Sequence, residues 1–161
     1  MMAKVCLVSS AGGHLAEVLG ALGEAAGEHD CFVCVTGFEN VRRMRLTGVR
    51  RVYCMPVFWR YQEPFGVLVS LLVSLPVFVW IFLKERPDAL VSAGAEIAIP
   101  AFLVNRLLFR KPALYIESIT RLHAPSATGR WVARLATRIF VQWPRLLEFY
   151  GPKAEYPGGL L

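Results

Sequence analysis

The chain has 161 residues, of which 55% are hydrophobic and 19% charged, with a formal net charge of +6, a pI near 9.5 and a mean hydropathy of +0.46. That length builds one domain with a full core, residues 1–161, and excludes two ordinary ones. The charged share falls below the roughly 25% usual for soluble domains, so some apolar surface is expected to meet lipid or a partner. The cationic balance suits an anionic membrane, nucleic acid or phosphorylated substrates and by itself does not choose among them.

The first element is an apolar strand over 3–9 that stops at Ser9-Ser10-Ala11-Gly12-Gly13-His14 and gives way to a helical pattern over 14–26. Such a junction points bare N–H groups and the positive end of a helix dipole into the turn, where an anion, typically a phosphate, is the favoured guest. The spacing lacks G-x-G-x-x-G and Gly-Lys-Ser/Thr, which disfavours a dinucleotide site and a P-loop. His14 is the only titratable side chain in the turn. Its position favours the neutral ring and so suits a general base, with a capping or core histidine as the equal alternative. The N-terminal run carries one lysine and no cleavage-like site, unlike a signal peptide.

Further strands are predicted at 30–36, 50–54, 88–92, 112–116 and 137–142, with helices at 39–46, within 58–85, and at 96–109, 126–136 and 144–150. Strands alternating with helices make an α/β fold with a doubly wound parallel sheet. Cys6, Cys31, Cys34 and Cys54 fall in these apolar segments. Cys31-x-x-Cys34 has no second pair, and strand alternation sends its two side chains to opposite faces, so buried free thiols are the favoured reading.

Phe65 to Leu83 is an uncharged run that just reaches the thickness of a bilayer core. A single span would place the first three strands and the last three on opposite sides of the membrane, although all belong to one sheet. A crossover helix, an interfacial helix or a re-entrant pair broken at Pro76 avoids this. Trp59, Arg60 and Tyr61 before the run, Trp80 near its end, and Lys84 and Arg86 after it favour lipid contact. The membrane-associating residues are thus taken as Trp59, Phe65, Leu72, Phe78, Trp80 and Leu83, with a buried crossover helix as the alternative. The cluster Arg42, Arg43, Arg45, Arg50 and Arg51 fits anionic lipid or a solvated face equally.

Ligands of a doubly wound sheet bind at the carboxyl ends of its strands. Three loops there carry chemistry: Ser10 to His14, Ser92-Ala-Gly94-Ala-Glu96, and Glu117-Ser118-Ile-Thr-Arg121. Glu96 in a first helical turn fits a cap as well as catalysis. Glu117 is placed to orient a sugar hydroxyl or act as a base, and Arg121 to hold a phosphate, the alternative being a Glu117 to Arg121 ion pair.

Taken together, Ser9 to Leu15, Val91-Ser-Ala-Gly-Ala-Glu-Ile-Ala-Ile-Pro100, Tyr115-Ile-Glu-Ser118 and Phe140-Val-Gln-Trp143 resemble the acceptor-binding half of GT-B glycosyltransferases split into two subunits. That family includes the membrane-recruiting subunit of the dolichol-linked N-acetylglucosaminyltransferase and the larger subunit of bacterial exopolysaccharide transferase pairs. The resemblance implies a Rossmann-like domain equivalent to the N-terminal GT-B half, on the cytoplasmic face of a membrane. It also implies a lipid-pyrophosphate acceptor and a smaller partner subunit that supplies most of the UDP-sugar site, with no nucleic acid involved. The chemistry it implies is inverting and metal-independent, with no cofactor beyond the UDP-sugar donor. By similarity, Gly12, Gly13 and His14 lie beside the acceptor, and Glu96 and Glu117 face the same cleft. His14 and then Glu117 are the candidate bases, with Ser10, Gly94, Ser118 and Arg121 assigned to substrate binding. A non-catalytic anchor that recruits a soluble catalytic subunit is the alternative. Eukaryotic members carry an anchor ahead of the first strand, whereas here residues 65–83 are expected to do the membrane work.

Overall fold

Seven segments pair into one sheet, and every pairing is parallel. β1 (Lys4–Ser10), β2 (Asp30–Thr36), β3 (Val49–Cys54), β4 (Ala89–Ser92), β5 (Ala113–Ile116), β6 (Arg138–Phe140) and β7 (Ala154–Glu155) run in the order β3-β2-β1-β4-β5-β6-β7. The computed structural model describes residues 2–37, 46, 48–55 and 64–158, without the side chains of 64–67. Six strands match the sequence expectation to within two residues at each end. β7 was not expected, since two residues in a polar stretch carry no strand pattern. It pairs with β6 and is pinned by an ion pair between Arg138 and Glu155.

The helices are α1 (Gly13–Leu22), α2 (Ala25–Glu28), α3 (Pro64–Glu85), α4 (Ala98–Val104), α5 (Ala127–Val132) and α6 (Leu147–Tyr150). The helix expected over 14–26 breaks at Gly23, whose φ of +50° suits glycine. The helix expected over 39–46 falls almost wholly outside the described residues. After Val104, α4 widens into a π-turn, Asn105–Phe109, in which the Arg110 N–H donates to the Asn105 carbonyl at 2.6 Å. The buried Asn105 amide clamps this turn, donating to the Lys111 carbonyl at 2.8 Å and accepting from the Lys111 N–H at 3.2 Å.

Alternation along the strands splits the core into two layers. Val5 and Leu7 of β1, with Cys31, Val33 and Val35 of β2, pack on Leu15 and Val18 of α1. Cys6 and Val8, with Phe32 and Cys34, join Phe78, Phe82, Phe102 and Tyr115 on the other face. Cys31 and Cys34 therefore do lie on opposite faces. Cys54, by contrast, is exposed, which corrects its expected burial.

α3 is one continuous crossover helix from β3 to β4, unbroken at Pro76, which sits on an exposed position. Ser70, Ser74, Phe78, Ile81, Phe82 and Glu85 form its buried stripe, at the spacing of a single helical face. Phe78 is fully buried and packs its ring on Phe82 at 5.8 Å, so it faces the core and not a membrane. Leu68, Leu72, Trp80 and Leu83 point outward, each more than half exposed. Trp59 lies outside the described residues, as does the Phe65 side chain. Of the expected basic cluster, Arg50 and Arg51 pair with Asp30 at 3.7 and 3.2 Å and Arg51 also with Glu85 at 3.2 Å, which gives them a structural task. Arg42, Arg43 and Arg45 lie outside the described residues.

Candidate functional site

The sheet order reverses between β1 and β4, and a doubly wound fold opens its ligand crevice at that switch point, at the carboxyl ends of the strands. On one side of it, β1 ends and the chain turns at Gly12, φ +100°, straight into α1. No side chain caps this helix, and its first internal bond runs from the Ala16 N–H to the Gly12 carbonyl. The N–H groups of Gly13, His14 and Leu15 have no acceptor within the helix, and Gly12 and Gly13 are exposed. Uncapped N–H groups at an exposed helix N-terminus are the general setting in which anions bind.

His14 sits at the end of this turn, its side chain 37% exposed, with Nδ1 3.3 Å from Glu17 Oε2. A proton on Nδ1 directed at Glu17 leaves the lone pair on Nε2. On the far side, Gly94 follows β4 with φ +124°, and a Cβ there would come within 3.0 Å of the His14 ring. Only glycine lets the imidazole lie against that loop. Glu17 also reaches across to the β5 loop: its Oε1 accepts from the Ser118 hydroxyl at 2.7 Å and from the Ile119 N–H at 3.3 Å. The turn after β1 and the loop after β5 are locked together through one carboxylate.

Glu117 reaches the cleft from the carboxyl end of β5. It is fully buried, and its partners are the Ser118 N–H at 3.1 Å, the Ser126 N–H at 3.1 Å, the Ser126 hydroxyl at 3.2 Å and the Tyr150 hydroxyl. The alternative pairing with Arg121 is not formed. Because Ser126 gives its only hydroxyl proton to Glu117, the Tyr115 hydroxyl at 3.1 Å donates to Ser126. Ser126 also caps α5 by accepting from the Gly129 N–H at 2.9 Å. Burial, and then the Glu117 charge, push both the Tyr115 and the Tyr150 hydroxyls well above the ordinary tyrosine range, so both stay protonated donors. Glu117 thereby organises the wall of the cleft, with three donors converging on Oε2 and the Ser118 N–H on Oε1.

The cleft between these loops has a volume of about 240 Å³. Of the residues singled out from sequence, His14, Gly94, Glu96, Glu117, Ser118 and Arg121 line it. Gly12 and Gly13 form the turn at its edge, whereas Ser10 ends β1 opposite Thr36 of β2 and does not reach the lining. Arg121 is exposed at the rim. Sequence reasoning missed Glu17, Ser126 and Tyr150, and had Tyr115 only as part of the Tyr115-Ile-Glu-Ser118 motif. Glu17 was within reach of it, as a carboxylate three residues after His14 on the same helix face. Tyr150 was not, being brought back to Glu117 from 33 residues away. Among the described residues, no group of three or more His, Cys, Asp or Glu is placed to hold a metal ion.

Residues 60–160 match the family model described as "Oligosaccharide biosynthesis protein Alg14 like". The chain belongs to the Alg14-like family. Over 128 residues this Alg14-like chain is 34% identical to the UDP-N-acetylglucosamine transferase subunit ALG14 of Yarrowia lipolytica, covering 76% of its own length and 53% of that protein, so it spans about half the relative. Over 82 residues it is 28% identical to the UDP-N-acetylglucosamine–N-acetylmuramyl-(pentapeptide) pyrophosphoryl-undecaprenol N-acetylglucosamine transferase of Chlorobaculum tepidum, covering 51% of itself and 21% of that enzyme. Its fold superposes on Acinetobacter baumannii MurG with a TM-score of 0.67 at 18% identity, covering 89% of this chain and 42% of that one. The Alg14-like chain has the fold of one half of a GT-B enzyme.

Proposed function

We infer that this chain is the acceptor-binding, membrane-associated subunit of a two-subunit glycosyltransferase. The reaction transfers a sugar from a UDP-sugar to a saccharide carried on a polyprenyl pyrophosphate. N-acetylglucosamine is the sugar named for its relatives and the first donor to test. The observation that carries the reading is the His14–Glu17 pair set at the uncapped N-terminus of α1, in a cleft lined from one domain only.

In this reading the acceptor pyrophosphate is held by the N–H groups of the Gly12-Gly13 turn and by Arg121. His14 Nε2 takes the proton of the acceptor hydroxyl as its oxygen bonds to the anomeric carbon, while the bond from that carbon to the UDP oxygen breaks. Glu17 keeps Nδ1 protonated and steadies the imidazolium that forms, and Glu117 holds the β5 loop in place behind it. The smaller partner subunit closes the cleft and binds the nucleotide. No divalent metal is assigned a role, so turnover in EDTA is expected to match turnover in its absence.

The outward face of α3, with Leu68, Leu72, Trp80 and Leu83, lies in the interfacial zone of the cytoplasmic membrane surface. Lys84 stands over the Trp80 ring at 4.8 Å, a basic and aromatic pairing that suits that zone.

The test is co-purification with the partner subunit, followed by transfer from UDP-N-acetylglucosamine to a polyprenyl-pyrophosphate N-acetylglucosamine acceptor. His14→Ala is expected to lower kcat by roughly a hundredfold or more with partner binding intact. Unchanged turnover would assign the chemistry to the partner and leave this chain as a recruiting anchor.

A further inference from the structure

At the amino end of the sheet, away from the cleft, lies a second recess of about 310 Å³. It is enclosed by the π-turn after α4, the chain following α5 and the approach to β7. Its lining holds five cationic side chains, Arg106, Arg110, Lys111, Arg134 and Lys153, and no carboxylate. The recess is firmly built: Asn105 clamps its floor, and Lys153 Nζ is anchored by donating to the carbonyls of Ala133 and Ala136 at 3.3 and 3.1 Å. Among the described residues none of the five forms an ion pair, whereas Arg50, Arg51 and Arg138 each do. Five like charges around one hollow repel one another until an anion enters.

The same π-turn displays Leu107 and Leu108, which are 63% and 62% exposed. Phe109 packs its ring on Phe82 at 5.4 Å, and so sets the turn against the end of α3 where Trp80 and Leu83 are also exposed. A soluble anion has no use for two bare leucines beside its site. A lipid headgroup does, because its phosphate is tied to apolar chains.

We propose that the recess seats the phosphate of an anionic phospholipid, with Leu107 and Leu108 entering the acyl boundary beside it. This rests on the reading of the chain as membrane-associated and adds charge selectivity to it. α3 supplies apolar contact with any bilayer, and the recess distinguishes anionic from neutral lipid.

Flotation of the full chain is compared on vesicles of phosphatidylcholine alone and of phosphatidylcholine with phosphatidylglycerol. Wild type is expected to bind the anionic vesicles more tightly, and Arg110→Gln with Arg134→Gln to lose roughly tenfold or more of that gain while binding phosphatidylcholine unchanged. A control pair, Arg130→Gln with Arg145→Gln, removes the same charge outside the recess and is expected to keep most of the gain. Leu107→Ser with Leu108→Ser is expected to weaken binding to both vesicles, with thermal melts confirming that each variant is folded. Equal losses in the recess and control pairs would overturn the proposal in favour of diffuse attraction. Equal wild-type affinity for both vesicles would overturn it while leaving the membrane reading intact, and no wild-type binding to either would overturn both. A melting shift with inorganic phosphate that the recess pair abolishes, without any phosphatidylglycerol gain, would assign a soluble anion and overturn the lipid.

Discussion

Two buried glutamates hold the two ends of the sheet by opposite means. At the amino end, Glu85 accepts from the Tyr53 hydroxyl and faces Lys4 at 3.4 Å and Arg51 at 3.2 Å. Burial alone would push its carboxyl up, but the Tyr53 hydroxyl, Arg51 and Lys4 together more than offset this and hold it below the usual carboxylate range. The Tyr53 hydroxyl is pushed up to about 12, by burial first and then by Glu85. At the carboxyl end, Glu117 draws its hydrogen bonds from two backbone N–H groups and two hydroxyls, with no cation among them. One end is stapled by neutralised charge. The other is ordered by neutral hydrogen-bond donors gathered around one carboxyl group.

That contrast can be broken most forcefully at Glu117. Glu117→Ala strands the Tyr150 hydroxyl and the Ser126 donors in the interior, and should cost about 3 kcal/mol, a Tm drop of roughly 10 °C by calorimetry. Glu117→Gln keeps an acceptor oxygen and should recover much of the loss.

Next in size is Glu17→Gln, which leaves the fold in place but weakens the hold on His14. Transfer by the two-subunit enzyme should fall about tenfold in kcat with a smaller change in KM. An unaltered kcat would reduce Glu17 to a loop tether.

Acid separates the two ends further. Because the folded pKa of Glu85 is depressed, the stability it contributes is present above the ordinary carboxylate range and is lost as pH falls through its folded value. Glu85→Gln should therefore melt lower than wild type at pH 7, and the two Tm curves should converge below about pH 4. The smallest expected effect is Tyr53→Phe, which removes one hydroxyl donor to Glu85 and should lower stability by about 1 kcal/mol in denaturant titration.

Most strands were legible as apolar runs ended by Pro, Gly or a charged residue, whereas β3 carries Arg50 and Arg51 within it and β7 shows no such run; the parallel order followed from the helical patterns between them. The cleft was legible as three loops at the strands' carboxyl ends, since topology alone converges them. What the sequence hid were contacts set by three-dimensional return. The partners of Glu117 come from Ser126 and Tyr150, and without them a buried glutamate in a polar loop reads as a free base. Phe78 was misassigned for a related reason. The run from Phe65 to Leu83 has no charged face to orient it, and only packing reveals that the inward stripe of α3 carries Ser70, Ser74 and Glu85 along with Phe78. The π-turn is similarly silent, because its cause is an amide clamp at Asn105 and not a change of pattern.

The bridge from Glu17 to the β5 loop does not stop at Ile119. While the Ile119 N–H donates to Glu17, its carbonyl accepts from the Trp143 indole N–H at 2.8 Å. A hydrogen-bonded relay therefore runs from the imidazole of His14 to a tryptophan that is 38% exposed on the loop after β6. That indole is an intrinsic fluorescent gauge. Occupation of the Gly12-Gly13 turn that shifts His14 should alter its emission, reporting acceptor binding without any added label.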